Sequence, residues 1–349
     1  MKSELLLLSI ETSCDETAAA LLEGRGGRPH LLSNVVATQH EFHARFGGIV
    51  PEIAARRHAE VLEAVIAAAL DQAGKGFSDL TAVAVVHGPG LIGSLVVGVS
   101  AAKAIALARG LPLVGVNHLE GHVYSVFLPE AGEPPQFPLL VLIASGGHTH
   151  LVMMRGPGQF EVVGRTRDDA AGEGFDKAGK LLNLPYPGGP AIAALAERGR
   201  ERAIEFPVAE LAGWDFSFSG VKTALARYVK ELPPAELEAK RADLAAGFQW
   251  AVVRALTETS LRAAEELEVA SLALVGGVAA NRRLREEFST RTRQLGIAFH
   301  IPPLQLCTDN AAMSGCAAYY KLKLGITSDL ELDCDSSLPL TSWDEDLAG

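Results

Sequence analysis

Two stretches of this chain follow one plan, and that repetition limits its fold more than any other feature. Leu5–Ile10 is an apolar run of strand length, Glu11–Thr17 is a polar turn, and Ala18–Leu22 is a returning apolar run. Much later, Leu139–Ala144, the Gly-bearing turn Ser145–Thr149 and His150–Met154 repeat the arrangement. Short apolar runs bounded by turn residues read as strands buried on both faces. One such unit used twice is the pattern of a two-lobed protein with a ligand in the cleft. A length of 349 residues, too long for one small core, agrees with two lobes.

Strand and helix signals alternate along the rest, which points to α/β layers. A helix is predicted over Val50–Ala73, a strand over Leu80–Val86, then a glycine loop and a small-residue helix over Leu95–Arg109. Leu111–Val116 reads as a strand, and Gly132–Pro138, with its prolines, as a loop. Helical patterning returns over Pro190–Arg202, Val221–Glu231 and Ala235–Leu267. The strand Ser271–Val275 leads through Gly276 and Gly277 into an Arg-rich helix, and a last helix is predicted over Asp309–Leu324. The tail, Thr327–Gly349, is acidic and weakly periodic, so it is expected to be partly mobile.

Composition excludes several classes. Apolar content of 48% with 6% aromatics suits a close-packed α/β protein. Leu5–Ile10 is too short to span a membrane and runs into Glu11, Asp15 and Glu16, so it reads as neither span nor signal peptide. No other apolar run approaches spanning length without charges or glycines, so a cytoplasmic protein with no membrane partner is expected. Cys14, Cys307, Cys316 and Cys334 lack CxxC spacing and read as reduced thiols. A formal charge of −11 argues against a general nucleic-acid binder but leaves room for a local basic patch.

Asn117-His118-Leu119-Glu120-Gly121-His122 carries the strongest chemical signal. With a helix starting at Asn117, His118 and His122 lie on one face, and both imidazoles can bind one divalent metal. HExxH proteases place a glutamate directly after the first histidine. Here Glu120 is two residues on, at the N3 position of a capping box with Asn117 as N-cap. The third ligand must come from elsewhere, and Asp309 is the best candidate, although a helix start welcomes a carboxylate by itself. Two histidines and one carboxylate leave metal positions open for substrate.

Three glycine turns are candidate anion contacts: Ser145-Gly146-Gly147-His148-Thr149, Gly188-Gly189 and Gly276-Gly277 before Asn281. None matches a P-loop or a dinucleotide fingerprint. The Gly88–Gly93 loop and the small residues after it suit close packing or a subunit contact better than phosphate binding. Asp168–Lys177 either holds a polar ligand or caps a helix. Trp214–Gly220 either closes over a substrate or plugs a joint.

In order along Leu5–Leu324, these segments resemble the TsaD family, the tRNA N6-adenosine threonylcarbamoyltransferases, once misnamed O-sialoglycoprotein endopeptidases. The resemblance rests on IETSCDET from Ile10, GGIVPE from Gly47, the Gly88 loop, NHLEGH, SGGHT, DDAAGEGFDK from Asp168, YPGGP from Tyr186, DFSFSGVKTA from Asp215, GGVAANRRLR from Gly276 and CTDNAAM from Cys307. Gly174 and Val221 stand where relatives often carry other small or apolar residues, and the acidic tail has no motif. The resemblance implies a two-lobed actin/Hsp70/sugar-kinase-like (ASKHA) α/β fold, with lobe I as residues 1–117 plus 310–349 and lobe II as 118–309. It implies one iron or zinc on His118, His122 and Asp309. It implies threonylcarbamoyl-AMP in the cleft, contacted by Ile143, Ala144, Ser145, Gly146, Gly147, Asp176, Gly189 and Asn281.

The reaction so implied moves the threonylcarbamoyl group to N6 of adenosine 37 in tRNAs reading codons that begin with A, releasing AMP. A metalloprotease and an ATP phosphotransferase of the same fold are the alternatives. Asp15 and Glu16 are weak candidates for a general base. A TsaB-like paralogue and a TsaE-like ATPase are implied as partners, with the small-residue helix after Gly93 as a docking face. For tRNA, Arg282, Arg283, Arg285, Arg291 and Arg293, with Arg198, Arg200 and Arg202, are the expected basic surface, unless Glu286 and Glu287 make the first group a solvated helix face.

Overall fold

A computed structural model of the chain describes residues 5–343. Leu6–Glu11 (β1) pairs antiparallel with Glu16–Arg25 (β2), and β2 with Arg28–Thr38 (β3). On its other side β1 runs parallel to Ala82–Gly88 (β4), and β4 to Leu113–Asn117 (β5), giving the order β3-β2-β1-β4-β5. The second sheet repeats this plan. Leu139–Ala144 (β6) pairs antiparallel with Thr149–Gly156 (β7) and β7 with Gln159–Arg165 (β8), while Ser271–Val275 (β9) and Ala298–His300 (β10) continue it in parallel. Its order is β10-β9-β6-β7-β8. The two hairpins recognised in the sequence thus hold equivalent places in equivalent sheets, in a two-lobed ASKHA fold.

The third strand of each meander, β3 and β8, escaped the pattern reading. Most positions of β3 are half-buried and most of β8 are exposed, and polar residues such as Arg28, His30, Ser33 and Asn34 in β3 or Gln159 and Glu161 in β8 break the apolar run. In β1 all six residues are buried. Leu6, Leu8 and Ile10 pack on the helices of one side, while Leu7 faces the other side with Ala18, Ala20 and Leu22 of β2. Each such Leu or Ile contributes about 1.5–3 kcal/mol by leaving water, which is why a continuous apolar run specifies this two-faced strand.

A short helix, His40–Ala44 (α1), follows β3. Pro51–Ala73 (α2) and Ile92–Arg109 (α3) cover the outer face of the first sheet. His118–Tyr124 (α4) follows β5 directly. Ala171–Leu181 (α5), Gly188–Ala196 (α6), Ser219–Glu231 (α7), Pro234–Glu266 (α8) and Arg282–Leu295 (α9) cover the outer face of the second sheet. Ala311–Lys323 (α10) packs with α4 between the sheets, in a core that runs from Leu7 and Val116 through Ala317 to Val141 and Val275. Five layers result.

Several expectations change in detail. Helix α5 was not predicted, because Gly172, Gly174 and Gly179 interrupt its pattern. A Cβ on Gly179 would sit 2.9 Å from the Gly188 Cα, so the close approach of α5 to α6 is what the glycine serves. Helix α6 ends at Ala196 rather than Arg202. Among the described residues α3 is the one helix with the length and hydropathy of a membrane span, a property the charges and glycines in it had discounted. The expected mobile tail is instead docked as far as Trp343. Ser328 bridges to Leu113, Asn117 Nδ2 donates to the carbonyls of Leu338 and Pro339, and Trp343 is 2% exposed. Isolated apolar anchors (Leu332, Leu338, Trp343) hold it, and these leave no periodicity to read. Residues 344–349 of that tail, and 1–4 of lobe I, lie outside the described residues.

Candidate metal centre and the cleft around it

Helix α4 begins as its sequence requires. Asn117 is an extended N-cap whose Oδ1 accepts the Leu119 N–H at 2.8 Å, and Glu120 Oε2 accepts the Asn117 N–H at 3.3 Å. This is the predicted capping box. Residues 118 and 122 share a face, and their rings lie 4.7 Å apart. Asp309, just ahead of the α10 N-cap Asn310, enters from the other side. Its Oδ1 is 3.6 Å from His118 Nε2 and 3.2 Å from His122 Nε2.

These residues fit a divalent metal. Ligand atoms about 2.0–2.1 Å from a tetrahedral ion stand roughly 3.3 Å apart, close to the separations seen. His122 is fully buried, and neither of its ring nitrogens has an aligned hydrogen-bond partner, an expensive state for imidazole unless an ion takes a lone pair. His118 Nδ1 lies 3.1 Å from Glu11 Oε2 and 3.1 Å from Ser13 Oγ, which leaves its Nε2 for the metal. Glu11 Oε1 in turn accepts the Ser13 N–H at 2.6 Å. A carboxylate behind a ligating histidine fixes its tautomer and orientation.

The electrostatics follow. Burial alone pulls His118 down, but Asp309 and Glu11 together outweigh it and hold the proton up to about 9. Burial and neighbouring His118 lower His122. Burial works to raise Asp309, yet the imidazoles around it hold its carboxyl well below the usual range. The trio is a dense cation-and-carboxylate cluster in which a metal would displace protons.

The sequence reading had not assigned Glu11, Ser13 or His148 a role. The signal for Glu11 was its place at the strand end, facing the motif turn. His148, in the second hairpin's turn, brings its ring within 6.2 Å of His118, and burial with the nearby histidines depresses it to about 3. The Ser145–Thr149 turn therefore sits beside the metal trio. Ser145 N–H donates to His148 O at 2.8 Å and Ser145 Oγ accepts the His148 N–H at 3.2 Å. Gly146 and Gly147 are exposed, and a Cβ on either would meet nothing within 4 Å.

The other expected ligand contacts lie on β6, α5, the start of α6 and the N-cap of α9. Ile143 and Ala144 are fully buried in β6, main chain included. Asp176 Oδ1 accepts the Gly188 N–H at 2.7 Å, tying α5 to the glycine start of α6. Burial raises its pKa against that hydrogen bond. Asn281 is the N-cap of α9, accepting from Leu284 N–H and donating to Gln249 Oε1 at 2.9 Å. The Gly88 loop is packing: a Cβ on Gly88 would lie 2.1 Å from Asp335 O.

Across the cleft, Asp15, Glu16 and His40 form a second cluster. His40 Nε2 is 3.2 Å from Glu16 Oε1 and 3.7 Å from Asp15 Oδ2. Burial raises Glu16 to about 8, with Asp309 and Asp15 adding to it and the His40 hydrogen bond opposing. Glu16 raises His40 in return. Tyr186 of the other lobe approaches His40 edge-on at 6.4 Å.

Two acidic or aromatic motifs prove structural. Asp168 Oδ1 accepts the N–H groups of Phe218 and Ser219 at the start of α7, and Asp169 takes both Lys177 and Lys222. Phe216 and Phe218 are buried within the core of lobe II, so this part of the Trp214–Gly220 run packs inside one lobe rather than at a joint between lobes. The expected arginine surface is largely neutralised. Arg282 pairs with Glu286, Arg283 with Glu201 and Glu287, Arg291 with Glu287 and Arg200 with Asp243. Arg285 turns inward to the carbonyls of Ala279 and Pro302 and the Cys307 sulfur. A hollow of about 670 Å³ between residues 206–211 and α8 contains none of the site residues.

The tRNA N6-adenosine threonylcarbamoyltransferase family, TsaD, matches residues 30–316. A tRNA N6-adenosine threonylcarbamoyltransferase of Symbiobacterium thermophilum is 51% identical over 97% of this chain and 98% of its own length. One of Anaeromyxobacter dehalogenans is 53% identical over 94% and 98%. Among solved structures, full-length HypF in its phosphate- and nucleotide-bound form aligns with a TM-score of 0.58 at 13% identity, over 97% of this chain and 47% of that one. Component A of the Acidaminococcus fermentans (R)-2-hydroxyglutaryl-CoA dehydratase aligns at 0.51 and 14%, over 91% and 99%. These two likenesses concern the fold.

Proposed function

Because the chain belongs to the TsaD family and is a tRNA N6-adenosine threonylcarbamoyltransferase, we propose that it takes the threonylcarbamoyl group from threonylcarbamoyl-AMP, transfers it to adenosine 37 of tRNAs reading codons that begin with A, and releases AMP. The observation that carries this reading is the meeting of His118, His122 and Asp309 with the Ser145–Thr149 turn at the junction of the sheets. We take the lobes as 1–117 plus 310–349 and 118–309.

His118, His122 and Asp309 would hold one iron or zinc, and such a metal supplies Lewis acidity toward an acyl oxygen. The chain's own residues do the rest. Glu11 and Ser13 orient His118. The exposed glycine N–H groups at the end of the Ile143–Gly147 segment receive the adenylate, whose phosphate becomes the leaving group. We assign Gly189 and Asn281 to the same ligand, and Asp176 holds the glycine start of α6 in place. The exocyclic amine of adenine is a weak nucleophile, so alignment between lobes supplies much of the rate. Asp15 and Glu16, with His40, are the groups to take its proton.

The protease alternative is disfavoured by Glu120. Its carboxylate is buried behind the metal helix, bonded to Trp343 and Lys321, and is not a base beside a metal. An ATP phosphotransferase would consume ATP on a small substrate. For partners, we propose a TsaB-like paralogue on α3, which exposes Ile92, Val96 and Leu107, and a TsaE-like ATPase. With Arg282, Arg283 and Arg291 paired to carboxylates and Arg285 turned inward, tRNA capture would rest largely on those partners. The enzyme works in the cytoplasm. The test is mass spectrometry of nucleosides from unmodified tRNA incubated with the protein, threonylcarbamoyl-AMP and partners. Threonylcarbamoyladenosine at position 37 is expected, and its absence with an intact metal centre sinks the proposal.

A further inference from the structure

The back of the metal helix is as highly organised as its front. Helix α4 has seven residues and presents His118 and His122 on one face. At about 100° per residue, positions 120 and 124 lie on the opposite face. Both are buried, and both touch the end of the docked tail. Glu120 Oε1 accepts from the Trp343 indole N–H at 2.9 Å, and Tyr124 stacks on the Trp343 ring at 5.2 Å with planes 7° apart. The other Glu120 oxygen meets Lys321 Nζ at 3.2 Å, and Lys321 donates to Gly115 O at 3.2 Å.

The tail reaches this point across both lobes. After α10 it bridges β5 at Ser328 and meets His87 at the end of β4 through the Asp333 carbonyl and the Asp335 N–H. It then accepts from Asn117 at Leu338 and Pro339. In lobe II, Ser342 exchanges hydrogen bonds with the Phe160 backbone and Trp343 N–H donates to Gly158 O at 2.8 Å. Gly158 N–H bonds the Tyr124 hydroxyl at 3.1 Å, and a Cβ on Gly158 would lie 2.2 Å from the indole. One continuous stretch, Asp309–Trp343, thus approaches α4 from both sides. It supplies the third ligand candidate in front and the indole behind.

We propose that Trp343 is a positioning residue for the metal centre: the C-terminal strap clamps α4 through Glu120 and Tyr124, and thereby presets His118 and His122 toward Asp309. A two-turn helix has little stability alone. Its buried Glu120 carboxylate needs all its donors, because an unpaired buried acceptor of this kind is costly. Removing the indole frees one carboxylate oxygen, empties an aromatic site and lets α4 tilt. The inference rests on the metal reading above.

The test compares Zn²⁺ affinity of the full-length apoprotein, by chelator competition, with hydrogen exchange of the α4 amides. The variants are Trp343→Ala, Trp343→Phe and Phe288→Leu, the last a core change in lobe II as a control for general destabilisation. Trp343→Ala should weaken Zn²⁺ roughly 10- to 100-fold, the range for groups that orient ligands, and should speed exchange in α4. Trp343→Phe keeps the stack without the hydrogen bond and should fall between it and wild type. Phe288→Leu should lower the melting temperature while leaving Zn²⁺ affinity and α4 exchange at wild-type values. Should Trp343→Ala not fold, Trp343→Phe against Phe288→Leu decides. Wild-type affinity and exchange in the Trp343 variants, or equal losses in Phe288→Leu, overturn the proposal. A wild-type protein that binds no Zn²⁺ removes the metal reading, and α4 exchange then still shows whether the strap clamps the helix.

Discussion

Glycines near the cleft divide into two kinds, and the difference predicts opposite outcomes for the same substitution. Gly146 and Gly147 have ordinary negative φ, and an added Cβ would point into open space. Gly276 has φ +92°, and a Cβ there would lie 2.4 Å from Ala144 O. Gly276→Ala should therefore cost about 1–3 kcal/mol in backbone strain, with the clash added, and lower the melting temperature. Gly146→Ala and Gly147→Ala should stay within about 0.5 kcal/mol of wild type. Any change should be toward stabilisation, because alanine restricts the unfolded chain. Their effect falls on the ligand. If the turn receives the adenylate phosphate, a methyl group where the phosphate approaches removes or lengthens a charge-assisted hydrogen bond worth about 1.5–3 kcal/mol. That corresponds to a roughly 10- to 150-fold weaker Kd. Calorimetry with threonylcarbamoyl-AMP and with AMP, beside thermal melts, reads both quantities. Wild-type affinity in both Gly146→Ala and Gly147→Ala would refute the phosphate role. A melting loss in them as large as in Gly276→Ala would refute the claim that the turn is open.

Three further outcomes are expected. Glu11→Gln, which removes the carboxylate behind His118, should weaken Zn²⁺ about 10- to 100-fold; unchanged affinity would show that His118 needs no such partner. Glu16 and His40 both bind protons more tightly when folded. Between the unfolded Glu value and about 8 the native state holds more protons, so stability falls as pH rises through that window. Lowered histidines such as His58 and His148 act in the opposite sense, so the readout is the difference: between pH 5 and pH 8, denaturant titrations should show wild type losing stability relative to Glu16→Gln, and an unchanged difference would contradict the burial of Glu16. The Arg282/Arg283/Arg285→Ala triple variant should change the salt slope of tRNA binding by less than about one unit, because Arg282 and Arg283 are paired with carboxylates and Arg285 is turned inward. A drop near three units would restore them as phosphate contacts.

Local chemistry and pattern carried much of this protein. The two apolar hairpins, the Asn117–Glu120 capping box, the i, i+4 histidines and the glycine turns were all legible, because each depends on residues within one or two turns of chain. So was the metal trio as a hypothesis, since residue type and helix phase bring two ligands together and leave few candidates for the third. Pattern failed where burial is partial or contact is remote. β3 and β8 carry polar residues on half-exposed or exposed positions, α5 hides its helix behind packing glycines, and the tail is fixed by isolated anchors. The arginines of α9 looked like a cationic surface until the fold brought Glu201 to Arg283 and the Pro302 carbonyl to Arg285. Only tertiary structure sets Glu11 behind His118, brings His40, beside Asp15 and Glu16, edge-on to Tyr186 from the other lobe, and returns Trp343 to the back of α4. These contacts join residues far apart in the chain, and their energy comes from desolvation and pairing inside a shared core, which no local stretch of sequence contains.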